Sequence, residues 1–520
     1  MIAELPLGRL GLNGNKNQSQ VPIEAMIYVN NLTFESGTLQ KEGGASKLNT
    51  TAVTGAPEII GAWDWHPTNT AQRTIIFGSD GYIYRSTATA FAAMSGASGM
   101  TATGDVVPFF VEAGKEVAAN NKKLFCFSSR NAVRVIDGDA AVMTSLASGP
   151  ADWGSASNSP AFGLTHINRL WGGGNANDPH RMYYSTATDH EQWGAGGSIA
   201  VYPGDGERLV AAVSFKGFIV CFKSPAGVYA IDTRDATVAN WRVDKLNANI
   251  GAAGPRSVVI IDNDVMYMDK GGQLHLLSRI EDGSFDSNNL SQSHDMQSYM
   301  NDNFNLAKMY FTKGVYYWPK REAHFAMAGL GDTTNTKRFV VDFNGPQPRF
   351  RTSDRDVAQE IFLREDSDTI PRLAIGDASG FVWDLDKAAR TADSTGYNGQ
   401  WQTPHMDLSH VDPSLGARRK NGRFLELVVE PTGNFDITID IQWDGKTTQS
   451  IDFNLGSTGA SIGSFVIGTD ILGGGEVETK RRRITGSGRR LSLIGRNSGD
   501  SENFSIARAF LHFTAGNQRL

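Results

Sequence analysis

The densest charge in this chain is the run Lys480-Arg481-Arg482-Arg483, followed across Ile484 to Gly488 by Arg489-Arg490. Clustered guanidinium and ammonium groups hold phosphates or an acidic protein surface, and the same residues also guard an edge strand against unwanted pairing. Read as a strand, residues 480–484 point Arg481 and Arg483 to one side and Lys480 and Arg482 to the other. Two basic strands joined by a short glycine turn would then concentrate the charge, with Arg418-Arg419-Lys420 as a second cluster. Other chemistry is thin. Asp262, Asp264 and Asp269, and likewise Asp137 and Asp139, lie near turns where a hard cation finds oxygens, but neither group completes a calcium loop. The ten histidines, His66, His166, His180, His190, His275, His294, His324, His405, His410 and His512, lack the paired spacing of a metal site, and two cysteines do not make structural zinc. No phosphate-binding loop or nucleophile elbow is present, and Gly172-Gly173-Gly174 and Gly473-Gly474-Gly475 read as turns. Glycoside hydrolysis needs two carboxylates at a set separation, and the 55 acidic residues do not single out a pair. The sequence therefore assigns no catalytic, cofactor-binding or metal residues, and we read the chain as a non-enzyme.

The elements that must carry these residues recur. Cys126-Phe127-Ser128-Ser129, leading to Val133, Ile136 and Asp137, matches Cys221-Phe222-Lys223-Ser224, leading to Val228, Ile231 and Asp232. Related strand-turn-strand units are marked by Ile83, Val133, Tyr183, Val228, Leu274 and Val382, at gaps of 50, 50, 45, 46 and 108. The last gap fits two units, with the missing copy expected at Val315-Tyr316-Tyr317-Trp318 and His324-Phe325-Ala326. Short runs of β-branched and aromatic residues between Gly, Asn, Asp and Ser are strand signals. Such a repeat cannot bury both faces of one small sheet alone, so radial stacking supplies the partners. We therefore expect an all-β fold, with a β-propeller-like domain of six or seven blades over residues 51–400.

Beyond a polar crossing from Thr391 to Ala417, the pattern changes to longer alternating strands: Phe424–Val429, Phe435–Trp443, Gln449–Leu455, Phe465–Ile471, Glu476–Ile484, Arg489–Ile494 and Phe504–Phe513. Seven strands of this kind predict an antiparallel β-sandwich over residues 401–520. Residues 1–50 are polar and Gly/Asn-rich, with one expected strand at Ala25–Val29 and turns at Gly37 and Gly43-Gly44. They read as an N-terminal arm, with packing against the C-terminal domain left open. The net charge of −6 implies no wholesale attraction to nucleic acid or anionic membrane. Cys126 and Cys221 occupy equivalent strand positions in different repeats, too far apart for a disulfide, and are expected as small core residues. The start lacks a signal-peptide pattern and no stretch approaches a membrane span, so a product made in the cytoplasm is expected.

This arrangement resembles the tail nozzle, or packaged-DNA stabilisation (tail hub), proteins of short-tailed bacteriophages. The resemblance rests on Asn30-Asn31-Leu32 through Gly37-Thr38-Leu39-Gln40-Lys41-Glu42-Gly43, on the propeller-like middle, and on Gly488-Arg489-Arg490-Leu491-Ser492-Leu493 followed by Phe504-Ser505-Ile506-Ala507-Arg508-Ala509-Phe510. Lys41-Glu42-Gly43-Gly44 departs from the Arg-x-Gly step of that type. The resemblance implies a structural virion protein in the tail. It would form a homo-oligomeric ring, usually a hexamer, below the portal and adaptor rings, in contact with tail fibres or other tail proteins. Packaged double-stranded DNA would meet its channel without sequence specificity. Arg418, Arg419, Lys420, Lys480, Arg481, Arg482, Arg483, Arg489 and Arg490 are then candidate DNA-contacting or subunit-contacting residues. The alternative is a carbohydrate-binding or glycan-cleaving propeller for host-surface attachment, with Trp171, Trp193 and Trp318 as stacking aromatics.

Overall fold

A computed structural model of the chain describes residues 1–68, 71–97, 99–114, 122–150, 153, 158–194, 196–246, 250–279, 285–345, 347–355, 359–365, 370–388, 390–456 and 477–516. Six four-stranded sheets stand alone as propeller blades. The inner strands of the first five are Ile59–Thr68, Phe109–Gly114, Phe162–His166, Arg208–Phe215 and Val258–Ile261. The sixth station is the meander Lys313–Tyr317, Glu322–Ala328, Asn335–Asp342 and Arg349–Ser353, which forms one end of a nine-stranded sheet. The seventh blade takes Glu360–Glu365, Pro371–Gly376 and Val382–Lys387 from the repeats, and its outer strand, Gly44–Lys47, from the N-terminal segment.

Apolar burial explains why these small sheets form a ring. Each blade is apolar on both faces, and a separate core fills every gap between neighbours. Trp65 and Phe77 of the first blade pack with Phe110 and Cys126 of the second. Phe222 of the fourth packs with Tyr267 of the fifth, and Phe362 and Val382 of the seventh pack with Ile59 and Ile76 of the first, closing the circle. At about 25 cal/mol per Å² of apolar surface, this repeated burial is what holds the blades together. Cys126 and Cys221 are buried and free, as small core residues. Burial pushes the Cys126 thiol up to about 12 and raises that of Cys221 as well, so neither supplies a thiolate.

Three expectations need correction here. Gly172 and Gly173, read as part of a turn, are paired residues of the strand Arg169–Gly173. Val315–Trp318 and His324–Ala326 are not a second-to-third-strand hairpin like the other copies; Val315–Tyr317 and His324–Ala326 belong to the first and second strands of the sixth station, and Trp318 opens the turn between them. The helical insertion Leu290–His294, Met296–Asn303 and Leu306–Phe311 precedes that station and shifts the phase of the repeat. The crossing from Thr391 to Ala417 contains a fully integrated strand, Gly399–Gln402.

That strand explains how the C-terminal sandwich is built. The arm strand Tyr28–Asn30, shifted from the expected Ala25–Val29, pairs with Arg349–Ser353 on one side and with Gly399–Gln402 on the other. Leu491–Asn497, Asp436–Trp443 and Lys446–Asn454 then follow in the same sheet. One layer of the sandwich is therefore continuous with the sixth propeller station. The facing layer contains Leu39–Lys41, Ser505–Ala515, Lys420–Val429 and Glu478–Arg483, with Ile2–Leu5 also pairing on Ser505–Ala515. In Asp436–Trp443 the alternate residues Ile437, Ile439 and Ile441 face inward and join Leu425, Leu427, Leu493, Leu511 and the arm residues Leu5, Val29 and Leu39. The expected strand Phe465–Ile471 and the Gly473–Gly475 turn lie outside the described residues.

Candidate interaction surfaces

The basic run forms an edge. Among the described strands Glu478–Arg483 is the outermost of its layer, with Arg481, Arg482 and Arg483 all exposed. Arg481 lies across from Glu426 and stacks its guanidinium over Phe424 at 4.0 Å from the ring centre. Lys480 is folded back, 2.7 Å from Glu478 and 2.6 Å from the Gly456 carbonyl. Arg482 donates to the Asp452 carbonyl at 3.3 Å. Arg489 and Arg490 do not form the second strand of a basic hairpin. Ser487–Gly488 pairs with Lys420 and Asn421 in one layer, and Leu491–Asn497 runs in the other, so the two arginines ride the crossover. The Asp444 carboxylate fixes this crossover by accepting from the backbone N–H of Arg489 and Arg490, both at 2.9 Å.

The second cluster is split by burial. Arg419 is exposed and donates to Ser487 Oγ at 2.9 Å, and Arg418 is half-buried. Lys420 is buried and donates to the Arg489 carbonyl at 2.6 Å, so it braces the crossover and does not face a partner. Desolvation lowers its ammonium pKa.

A different charged constellation, which periodicity did not signal, lies where the arm meets the sixth station. Glu42 is buried and accepts from Arg338 at 3.1 Å, Arg351 at 3.0 Å and Ser353 at 2.9 Å, with Arg355 at 3.4 Å. Arg351 also reaches Glu322 at 2.8 Å, and Glu322 meets His324 at 3.0 Å. The Tyr397 hydroxyl donates to the Glu42 carbonyl, and Asn31 Oδ1 accepts from the N–H of Asp354 and Arg355 and lies 2.9 Å from Ser353 Oγ. Burial raises the Glu42 carboxyl, but Arg338, Arg351 and Arg355 together more than reverse this and hold it well below the usual carboxylate range. For Glu322, burial is likewise outweighed by Arg351 and His324, giving about 2. Burial lowers the His324 pKa, so its ring is neutral at pH 7. The only sequence signal for this cluster is charge interrupting apolar strands, as in Arg338-Phe339-Val340-Val341-Asp342 and Phe350-Arg351.

The third feature opens at the hairpin end of the inner strands, a pocket of about 600 Å³ lined by Asp64, His66, Thr68, Glu112, Lys122, Trp318, Leu363, Glu365 and Pro371. Glu112 accepts from Trp63 Nε1 at 2.9 Å, and burial pushes its carboxyl up. Of the three tryptophans considered for sugar stacking, Trp171 and Trp193 are buried, and Trp318 is 56% exposed. No group of three or more His, Cys, Asp or Glu fit to hold a metal occurs among the described residues.

No protein-family model and no curated protein matches this chain. Similar solved structures include BamB from Moraxella catarrhalis at 9% identity and TM-score 0.37, covering 67% of this chain and 97% of that one. YCF48 bound to D1 peptide is similar at 11% identity and TM-score 0.38, covering 66% and 95%. The designed Ika8 protein is similar at 12% and 0.36, covering 65% and 99%. The propeller is read from the sheet order and the cores between blades, and these likenesses add nothing about activity. No described helix is long and apolar enough to cross a membrane.

Proposed function

We propose that this chain is the ring-forming nozzle subunit of a short-tailed phage tail, placed below the portal and adaptor, retaining packaged DNA and forming the channel for its ejection. The observation that carries this reading is the exposed Arg481–Arg483 edge on a sandwich whose other layer runs unbroken into the propeller. Such a part transmits load between neighbours without a hinge of unpaired chain. The DNA path belongs between subunits. Within one propeller the inner strands pack against one another, and the buried Lys313 ties three of them, bonding the Ile60 carbonyl at 2.5 Å and Glu360 at 2.9 Å.

Negative-stain imaging of the protein alone and with portal and adaptor rings is the direct test. Rings of several copies with an axial channel are expected, and a monomer under both conditions overturns the reading. Replacing Arg481, Arg482 and Arg483 together by Gln removes contacts worth about 1.5–3 kcal/mol each where they meet an ionised partner. We expect ring assembly or DNA retention to fall at least tenfold, as read by sedimentation and by nuclease protection.

A further inference from the structure

The pocket at the propeller mouth is built around a rigidly presented indole. Trp318 opens the tight turn Trp318–Lys320, and the residues after it are pinned on both sides. Lys320 pairs with Asp386 at 2.8 Å, and Arg321 pairs with Asp262 at 3.0 Å. An aromatic this exposed on a backbone this constrained loses little freedom when covered, which is the property of a binding anchor.

Charge sets the chemistry of what covers it. Among the described lining residues, Asp64, Glu112 and Glu365 outnumber the one lysine, Lys122, and the His66 ring lies 3.1 Å from Asp64 and 3.6 Å from Glu365. Asp64 acts as scaffold, accepting from Gln72 Nε2 at 3.0 Å and from the Glu365 N–H at 2.7 Å. Glu112, oriented by Trp63, and Glu365, whose side chain is 47% exposed, present carboxylates to the pocket. A neutral sugar gains hydrogen bonds from these carboxylates but no charge attraction. A cation gains twice, from the indole face and from charge-assisted hydrogen bonds.

We propose that this mouth binds a lysine or arginine side chain carried on an extended segment of a partner protein, with Trp318 as the platform and Glu112 and Glu365 as acceptors. This goes beyond the ring reading and does not depend on it.

The test is calorimetric titration of the full chain with blocked oligolysine and oligoarginine peptides, and in parallel with maltotetraose and chitotetraose. Basic peptides are expected to bind. Trp318→Ala and the double change Glu112→Gln with Glu365→Gln should each weaken binding at least tenfold, with Trp318→Phe keeping most of it. Asp302→Asn, at an exposed acid far from the mouth, serves as the control for diffuse attraction. Failure of both peptides to bind overturns the proposal, as does an equal loss in the Asp302 variant. Trp318-dependent binding of a saccharide in place of the peptides overturns it in favour of glycan recognition. Trp318→Phe and a circular-dichroism melt separate lost binding from lost folding.

Discussion

Replacing Glu42 by Gln is expected to destabilise the protein by about 3–5 kcal/mol, the cost of leaving buried charge uncompensated. The magnitude follows from the count of charges. Glu42 and Glu322 face Arg338, Arg351 and Arg355, all five buried, with His324 neutral. Removing Glu42 takes away the one buried carboxylate that all three guanidinium groups meet and leaves Glu322 paired with Arg351. An exposed pair supplies the contrast. Lys320 lies 3.2 Å from Glu35, whose side chain is 47% exposed, and Glu35→Gln should cost under about 1 kcal/mol. Urea unfolding of both variants distinguishes the two cases, and a Glu42→Gln cost as small as that of Glu35→Gln would show that the cluster is not the joint.

The same cluster fixes the sign of the pH dependence. The folded-state values of Glu42 and Glu322 are depressed, so their stabilisation is present above the ordinary carboxylate range and lost as pH falls through the folded values, about 2 for Glu322. His324 is also depressed, so the unfolded chain takes up its proton first and stability falls as pH drops through the ordinary imidazole range. In Glu42→Gln the carboxylate part of this dependence should shrink, which denaturation at several pH values between neutral and acid will show.

What was legible in the sequence was whatever repeats locally. The markers Ile83, Tyr183, Val228, Leu274 and Val382 all fall in third strands of blades, and the alternation at Asp436–Trp443 put the three isoleucines inward. Pairing between distant segments left no periodic trace. Gly44–Lys47 closes a blade with Val382–Lys387, and Tyr28–Asn30 bridges Arg349–Ser353 and Gly399–Gln402. Strands of three or four residues with partners hundreds of positions away have no pattern that a local window detects. Burial of charge was equally hidden. Lys420 and Lys480 belong to the same runs as Arg419 and Arg481, and only the fold shows that the lysines brace the sandwich and the arginines face out.

The second large effect is expected at Trp401, in the segment that reads as a polar crossing. Its strand lies between Val29 and Gly495, and the indole is fully buried in the sandwich core that the arm and the C-terminal domain share. Trp401→Ala should cost about 3–5 kcal/mol through lost burial and the cavity left behind. Gly495 exists to admit this ring. A Cβ there would stand 2.2 Å from Trp401 Cε2, closer than any real contact, so Gly495→Ala should cost about 1–3 kcal/mol by overpacking. The two costs are not independent. With the indole removed, the methyl group of Gly495→Ala enters space that Trp401→Ala has vacated, so the double variant should be more stable than the sum of the single losses by about 1 kcal/mol or more. Additivity in that cycle would place the indole elsewhere and remove the physical reason for a glycine in the middle of a sandwich strand.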